Sequence, residues 1–278
     1  MASPLPALAS VARCWQARLV ERRACGPDAF VVEVELPADP GPIAPGQFAM
    51  LSAADGSGPC IARPFSVFDR AGPRRFTFLV QVHGPGTRAL AAVVEGGGYS
   101  CTLPLGNGFV IAPSARPVVF VAGGVGSAPF LLYARARAAA GAAANTWMLY
   151  GARTADRLYD AEAFSASGIR VECATQDGAR GFHGNVIELM RNGLRSGVLP
   201  RTALFLSCGP EGLLHAFAEA ARSESVEAEL SLETYMGCGW GGCNACPVPT
   251  EPAGPLGNWP WAKACTQGPV FPLSSIRF

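Results

Sequence analysis

Four cysteines near the C-terminus constrain this chain more than any other feature of its sequence. Cys238, Cys243, Cys246 and Cys265 form the pattern C-x4-C-x2-C-x18-C, and mostly glycine separates the first two. Four thiolates can hold zinc or an iron–sulfur cluster, and the C-x4-C-x2-C…C order is typical of plant-type [2Fe–2S] sites. Zinc ribbons usually carry two C-x2-C pairs, whereas this sequence has one. The pattern therefore predicts a [2Fe–2S] site, with a zinc staple or unligated thiols as the alternatives.

Composition and charge exclude several classes of protein. The 278 residues are 49% apolar and 15% charged, with a net charge of +1. This balance argues against disorder and against a nucleic-acid binder that neutralises phosphates. No apolar run approaches the roughly 18 residues of a membrane-spanning helix. The basic residues near the N-terminus follow the apolar stretch, the reverse of a signal peptide, so we expect a cytoplasmic protein.

Three regions with different patterns follow one another along the chain. Short strands separated by Gly and Pro turns fill residues 1–112 and favour an antiparallel β-barrel. Buried strands alternate with helices over 113–228, which predicts an α/β domain with a parallel sheet. Periodicity fades over 229–278, so this small cysteine-rich segment needs a staple to fold. The predicted strands are 30–36, 46–52, 63–68, 75–82, 117–122, 146–150, 169–175 and 203–208, and the predicted helices are 129–144 and 213–222.

An Arg-Pro-Phe-Ser motif in the first region suits a pyrophosphate. Pro64 fixes the backbone, so Arg63 and Ser66 are held in set directions, and a guanidinium and a hydroxyl both bind phosphate. Gly86 and Thr87 follow further along, where backbone N–H groups can approach a phosphate. Each motif alone indicates only a strand end or a turn. Together, ahead of a parallel-sheet domain, they favour a phosphate-binding site in the barrel.

Two glycine-containing loops in the second region follow predicted strands. Gly123, Gly124 and Gly126 come after one strand and before a helix, and Cys208-Gly209-Pro210 ends another. Ligands bind at the carboxyl ends of the strands in open parallel sheets, so both loops are candidates for a nucleotide site. The alternatives are a tight turn for the first loop and a small buried thiol for Cys208.

Taken in order, these motifs resemble the electron-transfer subunit of NAD-dependent (type 1B) dihydroorotate dehydrogenase, in the ferredoxin–NADP reductase superfamily. The resemblance extends over roughly residues 12–275. It is strengthened by Leu-Ser-Leu-Glu-Thr at 230–234, which leads into Met-Gly-Cys-Gly, and by Cys-Thr-Gln-Gly-Pro-Val-Phe at 265–271.

The resemblance implies three cofactor sites. It implies cluster ligation by Cys238, Cys243, Cys246 and Cys265. It implies FAD contacts at Arg63, Pro64, Phe65, Ser66, Leu79, Val80, Gln81, Gly86 and Thr87. It implies an NAD nucleotide beside Gly123, Gly124, Gly126, Cys208, Gly209 and Pro210. The three regions then correspond to an FAD-binding barrel (1–112), an NAD-binding domain (113–228) and a [2Fe–2S] domain (229–278).

The resemblance also implies a partner and a pathway. Electrons from the FMN of a dihydroorotate dehydrogenase catalytic subunit would pass through [2Fe–2S] and FAD to NAD+, in pyrimidine biosynthesis. The two kinds of subunit would form a heterotetramer. We predict no catalytic side chain: His83, His183 and His215 are far apart in sequence and are interpreted as structural. This agrees with exchange between flavin and NAD, which needs no side-chain base.

Two other functions stay open at this stage. The segment between Cys246 and Cys265 holds five prolines and is longer than expected for the family, and Tyr235 and Trp240 are atypical. These departures allow the same FAD and [2Fe–2S] module to serve a sulfide dehydrogenase, a hydrogenase or a bifurcating transhydrogenase. A zinc-stapled binding protein without enzymatic activity is the alternative from another class.

Overall fold

The computed structural model of the chain describes residues 11–252, 254–257 and 259–278. The predicted N-terminal domain begins at residue 1. Its first ten residues, which begin the stretch compared above with a signal peptide, lie outside the described part. None of the described helices could cross a bilayer, since the longest has 13 residues.

The first domain is an antiparallel sheet of seven strands with one helix. In chain order the elements are β1 (Arg13–Ala24), β2 (Ala29–Glu35), β3 (Phe48–Ala53), β4 (Arg63–Ser66), β5 (Asp69–Arg70), β6 (Arg75–Gln81), α1 (Pro85–Ala92) and β7 (Gly98–Leu105). The strand order is β4-β3-β7-β1-β2-β6-β5. Alternate side chains such as Val32, Val34, Phe76 and Phe78 point to one face and fill a common core. The predicted antiparallel barrel domain is thereby confirmed.

The second domain is a mostly parallel sheet with helices between its strands. Its elements are β8 (Val118–Gly123), α2 (Leu131–Ala139), β9 (Thr146–Ala152), α3 (Ala161–Ala166), β10 (Arg170–Thr175), β11 (Phe182–His183), α4 (Val186–Ser196), β12 (Leu204–Cys208), α5 (Glu211–Ser223) and β13 (Glu227–Ser231). The central strands are buried along their whole length, as in a sheet covered on both faces. The predicted α/β domain is also confirmed.

The C-terminal segment packs on the second domain and contributes a strand to its sheet. It contains β14 (Pro247–Pro249), β15 (Trp261–Lys263) and β16 (Val270–Pro272). The sheet order is β11-β10-β9-β8-β12-β13-β16, and β16 runs antiparallel to β13 with Phe271 opposite Leu230. Strand β13 therefore crosses the predicted boundary at 228/229, because the sheet needs its full length.

The predicted helix at 129–144 is shorter and starts later than expected. A 3-10 turn occupies Gly124–Phe130, and α2 ends at Ala139 ahead of Gly141, whose φ is +70°. Pro129 lies inside this 3-10 turn, where it has no N–H to form the α-helical hydrogen bond to residue 125. The sequence patterns missed β1, because five of its twelve residues are Arg or Glu and its surface is largely exposed.

Candidate functional site

A cavity of about 280 Å³ lies between the barrel and the second sheet. We call it the flavin cavity, after the ligand implied above. Its walls include eight of the predicted site residues: Arg63, Pro64, Phe65, Ser66, Leu79, Gln81, Thr87 and Cys208. The tertiary structure thus brings together the two barrel motifs and the end of β12, which are far apart in sequence.

The Arg-Pro-Phe-Ser motif is the short edge strand β4, which pairs only with β3. Pro64 is tolerated because an edge strand has one side without ladder hydrogen bonds. The Arg63 side chain lies against Gly86, where a Cβ atom would stand 3.1 Å from Nε. Any larger residue at position 86 would therefore press on the guanidinium. Thr87 Oγ1 accepts the N–H groups of His83 (2.9 Å) and Gly84 (3.1 Å), which fixes the start of α1.

The three predicted FAD contacts on β6 divide between two faces. Leu79 and Gln81 line the flavin cavity, whereas Val80 is fully buried in the core of the barrel. This follows from the two-residue period of a strand. Only the backbone of Val80 is available to a ligand on the cavity side.

A larger cleft of about 770 Å³ opens beside the flavin cavity, and we call it the nucleotide cleft. Gly123 at the end of β8, Gly124 directly after it and Pro210 after β12 contribute to its wall, at the carboxyl ends of parallel strands. Arg153 and Arg157, after β9, add positive charge suited to phosphates. The shape and the donors fit a dinucleotide.

Gly126 and Gly209 lie in the turns after β8 and β12, and their backbones are in close contact. A Cβ atom on Gly126 would stand 2.4 Å from both the Gly209 Cα and the Cys208 carbonyl oxygen. The turn after β8 and the turn after β12 can approach this closely only because position 126 has no side chain.

Cys208 is a buried thiol, one of the two interpretations that the sequence left open, and it lines the flavin cavity and not the nucleotide cleft. The residue is only 3% exposed, and its neighbours form part of the flavin cavity wall. Burial raises the pKa of its thiol far above the ordinary range. It is therefore a neutral, enclosed thiol that lies beside the site.

Several cavity residues were not among the predicted site residues, although 230–234 and Met236 had supported the family resemblance. Residues 231–234 and Met236 line the flavin cavity, and Asp28 and Tyr159 line the nucleotide cleft. The first group follows the carboxyl end of β13, which could have pointed to a site. His83, interpreted above as structural, lines both cavities. Desolvation within the cleft raises the pKa of the Glu233 carboxyl, which also faces both.

The four clustered cysteines occur as two pairs. The Cys243 N–H donates to Cys238 Sγ at 3.4 Å, and the Sγ atoms of Cys246 and Cys265 are 3.3 Å apart. Within the described ranges, no three His, Cys, Asp or Glu side chains are arranged to hold a single ion. Two pairs of thiols fit a two-iron cluster, which takes four cysteines.

Backbone N–H groups prepare Cys238 to act as a thiolate. Burial opposes the charged form, but N–H groups of Cys243, Trp240 and Gly242 outweigh it and lower its pKa to about 6. For Cys265, burial and the neighbouring Cys246 thiol raise the pKa to about 12. N–H groups directed at sulfur are also a means of tuning iron–sulfur sites. The cysteine donors and their surroundings fit the implied cluster.

The loop from Cys238 to Cys246, called the cysteine loop below, packs against the barrel. Met50 and Leu105 contact Gly239, and Lys263 Nζ donates to the Gly241 carbonyl at 3.0 Å. The wall of the flavin cavity continues from Thr234 and Met236 directly into Cys238. The cysteine loop and the flavin cavity are therefore adjacent parts of one region.

Two family models match this chain. Residues 233–277 match the iron–sulfur cluster binding domain of dihydroorotate dehydrogenase B, and residues 120–219 match the oxidoreductase NAD-binding domain. The first match favours an iron–sulfur cluster over the zinc staple.

Relatives of the chain match over nearly its whole length. A dihydroorotate dehydrogenase B (NAD+) electron transfer subunit from Bacillus cereus is 32% identical over 238 residues, covering 84% of this chain and 86% of the relative. The chain belongs to this family of electron transfer subunits. The subunit of the same name from Desulforamulus reducens is 29% identical over 263 residues, with 94% and 97% coverage. The resemblance inferred from the motifs is confirmed.

Solved structures agree on the fold. An NADH-dependent reduced ferredoxin–NADP oxidoreductase, described in relation to flavin-based electron bifurcation, superposes with a TM-score of 0.80 at 26% identity. The match covers 94% of this chain and 89% of that one. The ferredoxin reductase of carbazole 1,9a-dioxygenase shares the fold at a TM-score of 0.68 and 20% identity, covering 78% of this chain and 68% of that one. These neighbours confirm that the chain combines a barrel domain with a nucleotide-binding domain.

Proposed function

We propose that the chain is the electron-transfer subunit of a dihydroorotate dehydrogenase that uses NAD+. The observation that carries the proposal is the junction of three sites in one chain. The flavin cavity and the nucleotide cleft share four wall residues, and the segment after β13 leads from that junction to Cys238. Electron exchange between sites requires this kind of proximity.

Each site is assigned to specific residues. FAD is held by the residues that line the flavin cavity, with Arg63 and Ser66 on phosphate and Gln81 beside the ring. NAD is held along the loops that contain Gly123 and Gly124, opposite Pro210. The thiolates of Cys238, Cys243, Cys246 and Cys265 bind the [2Fe–2S] cluster. In this division the FAD unit ends near 112, and the cluster unit begins after β13 rather than at 229.

The bound groups supply the redox chemistry: FAD exchanges electrons in pairs or singly, the cluster carries one, and NAD carries two. The chain's own residues position these groups and exclude water. Leu79, Pro129 and Met236 make the flavin cavity largely apolar, while Gln81 and Glu233 supply polar atoms where it meets the nucleotide cleft. No side-chain base is needed.

The partner is an FMN-containing catalytic subunit in a heterotetramer. Four large aromatic side chains of the C-terminal segment are exposed, among them Tyr235 at 94% and Trp240 at 64%; the others are Trp259 and Trp261. Tyr and Trp are enriched in protein interfaces, which supports a partner at this face. We place the complex in pyrimidine biosynthesis, in the cytoplasm.

Anaerobic purification with flavin, iron and sulfide analysis tests the cofactors. We expect a coloured protein with FAD and two irons per cluster, and NADH should bleach the flavin band. Co-expression with the dihydroorotate dehydrogenase catalytic chain tests the partner. The two chains should copurify and couple dihydroorotate oxidation to NAD+ reduction. A colourless protein, or a coloured one that never associates with that chain, would refute the corresponding part of the proposal.

A second candidate is the same module in a bifurcating oxidoreductase. The solved oxidoreductase described above covers 94% of this chain, which favours this alternative over a sulfide dehydrogenase or a hydrogenase. The two candidates differ in the electron donor. Dihydroorotate should reduce the cluster in the first complex, whereas ferredoxin and a second nicotinamide nucleotide should be required in the other.

A further inference from the structure

Gln81 occupies the point where the flavin cavity and the nucleotide cleft meet. Gln81, His83, Val125 and Glu233 line both spaces. The Gln81 side chain is bonded at both ends. Its Nε2 donates to Asp28 Oδ2 at 2.8 Å, and its Oε1 lies 2.8 Å from His83 Nε2.

Asp28 determines which way the Gln81 amide faces. An ionised carboxylate only accepts hydrogen bonds, so the amide nitrogen must point to Asp28. The amide oxygen is then directed to His83, whose Nε2 must carry the hydrogen. The orientation of two polar groups at the junction thus follows from one carboxylate.

Asp28 also joins the two domains. It lies in the turn between β1 and β2, and its Oδ1 accepts the hydroxyl of Tyr159 at 2.5 Å while Oδ2 accepts Arg157 at 2.7 Å. Tyr159 and Arg157 follow β9 in the second domain. The Tyr159 ring packs on Gly26 of the same turn, where a Cβ would stand 2.6 Å from it.

The carboxylate keeps its charge in this setting. Partial burial works against ionisation, but hydrogen bonds from Tyr159, Gln81 and Arg157 prevail and lower the pKa of Asp28 to about 2. All three neighbours donate to it, and Tyr159 in turn accepts from Gln81 Nε2 at 3.1 Å. The network is satisfied without a ligand, so its role is to hold groups in place.

We propose that Asp28 is a positioning residue: it fixes the Gln81 amide, and the barrel against the nucleotide-binding domain, for electron exchange between the two sites. This inference rests on the proposed function. Without the Asp28 carboxylate, the Gln81 amide keeps only its bonds to Tyr159 and His83, and the turn loses its hydrogen bond to the Tyr159 hydroxyl. The exchange between NADH and the flavin then slows, whereas steps that do not involve the nucleotide keep their rate.

The test uses the holoprotein with FAD and cluster bound, and compares Asp28→Asn and Tyr159→Phe with wild type. Stopped-flow reduction of the flavin at saturating NADH should slow about tenfold in Asp28→Asn, which loses the charged acceptor of three hydrogen bonds. It should slow about threefold in Tyr159→Phe, which loses one hydroxyl that donates to Asp28. Oxidation of the reduced protein by ferricyanide should keep its rate, and FAD content should be unchanged. Asp39→Asn is the matched control, since Asp39 pairs with Arg70 at 2.9 Å elsewhere on the barrel.

The outcomes separate the inference from the proposed function. If NADH does not reduce the flavin of the wild-type protein, the proposed function fails. If wild type is reduced and Asp28→Asn matches Asp39→Asn, the positioning role is wrong. If the NADH and ferricyanide steps slow equally, Asp28 is merely structural, which also overturns the inference. Tyr159→Phe keeps the test decisive should Asp28→Asn fail to fold.

Discussion

The Sγ atoms of Cys246 and Cys265 lie 3.3 Å apart although the residues are nineteen positions apart in sequence. The hairpin of β14 and β15 produces this contact. Pro247 pairs with Lys263, and the Ala264 N–H donates to the Cys246 carbonyl at 2.9 Å. The open end of the hairpin lies next to both cysteines, and the proline-containing loop lies at its other end. The length of that loop therefore does not set the distance between the two Sγ atoms. The long gap that set this sequence apart is therefore compatible with a cluster.

Cys243→Ser should remove or shift the cluster signal while FAD stays bound. The cysteine loop and the flavin cavity are adjacent, but Arg63 and Gln81 hydrogen-bond to residues outside the loop, and Ser66 pairs with Phe48 of β3. Iron analysis and electron paramagnetic resonance measure the cluster, and the visible spectrum measures the flavin. Cys14→Ser, at an exposed thiol on β1, is the control and should change neither. Loss of FAD from Cys243→Ser would contradict the assignment of separate sites.

Arg63→Ala should weaken FAD binding by about ten- to a hundredfold, the usual range for losing a charge-assisted hydrogen bond to phosphate. Fluorescence titration of the apoprotein with FAD measures the affinity. Arg195→Ala serves as the control, because Arg195 lies exposed on α4 and contacts only Asn192 among the hydrogen bonds of the described residues. Equal affinity in both variants would remove Arg63 from the site.

Gly126→Ala should destabilise the protein by about 1–3 kcal/mol, the usual cost of overpacking. The new methyl group would press on the Cys208 carbonyl and Gly209, which are backbone atoms and cannot rotate away. Thermal unfolding measures the stability, and the KM for NADH should rise as the turns separate. Gly72→Ala has free space around the added Cβ and should behave as wild type. A fully stable Gly126→Ala with unchanged KM would show that these turns are not in tight contact.

Iodoacetamide should distinguish the cysteines outside the cluster. Cys14 and Cys60 are exposed, whereas Cys101 and Cys208 are buried. Burial raises the pKa of both enclosed thiols, so little thiolate forms and alkylation needs local opening. We expect labelling of Cys101 and Cys208 to be at least about a hundredfold slower, by peptide mass spectrometry at pH 8. Rapid labelling of Cys208 would mean that the wall of the flavin cavity opens in solution.

Much of the fold followed from local patterns. The buried strands β8, β9 and β12 were predicted because short apolar runs bounded by turn residues favour strands over helices. Strand β1 was missed because its charged, exposed surface gives no such signal. The predicted boundary at 228/229 lies within β13, which pairs with β16 through a contact that no local pattern reveals.

The sequence by itself determined the chemistry of the sites. Cysteine spacing, the Arg-Pro-Phe-Ser strand and the glycine loops are short motifs, which can be recognised from residues that are close together in sequence. Only the tertiary structure decided how the sites meet. Asp28, Gln81 and Tyr159 are separated by up to 131 positions yet share hydrogen bonds of 2.5–3.1 Å. Contacts of that kind depend on how two domains pack, which is set by their whole surfaces and not by any local run of residues.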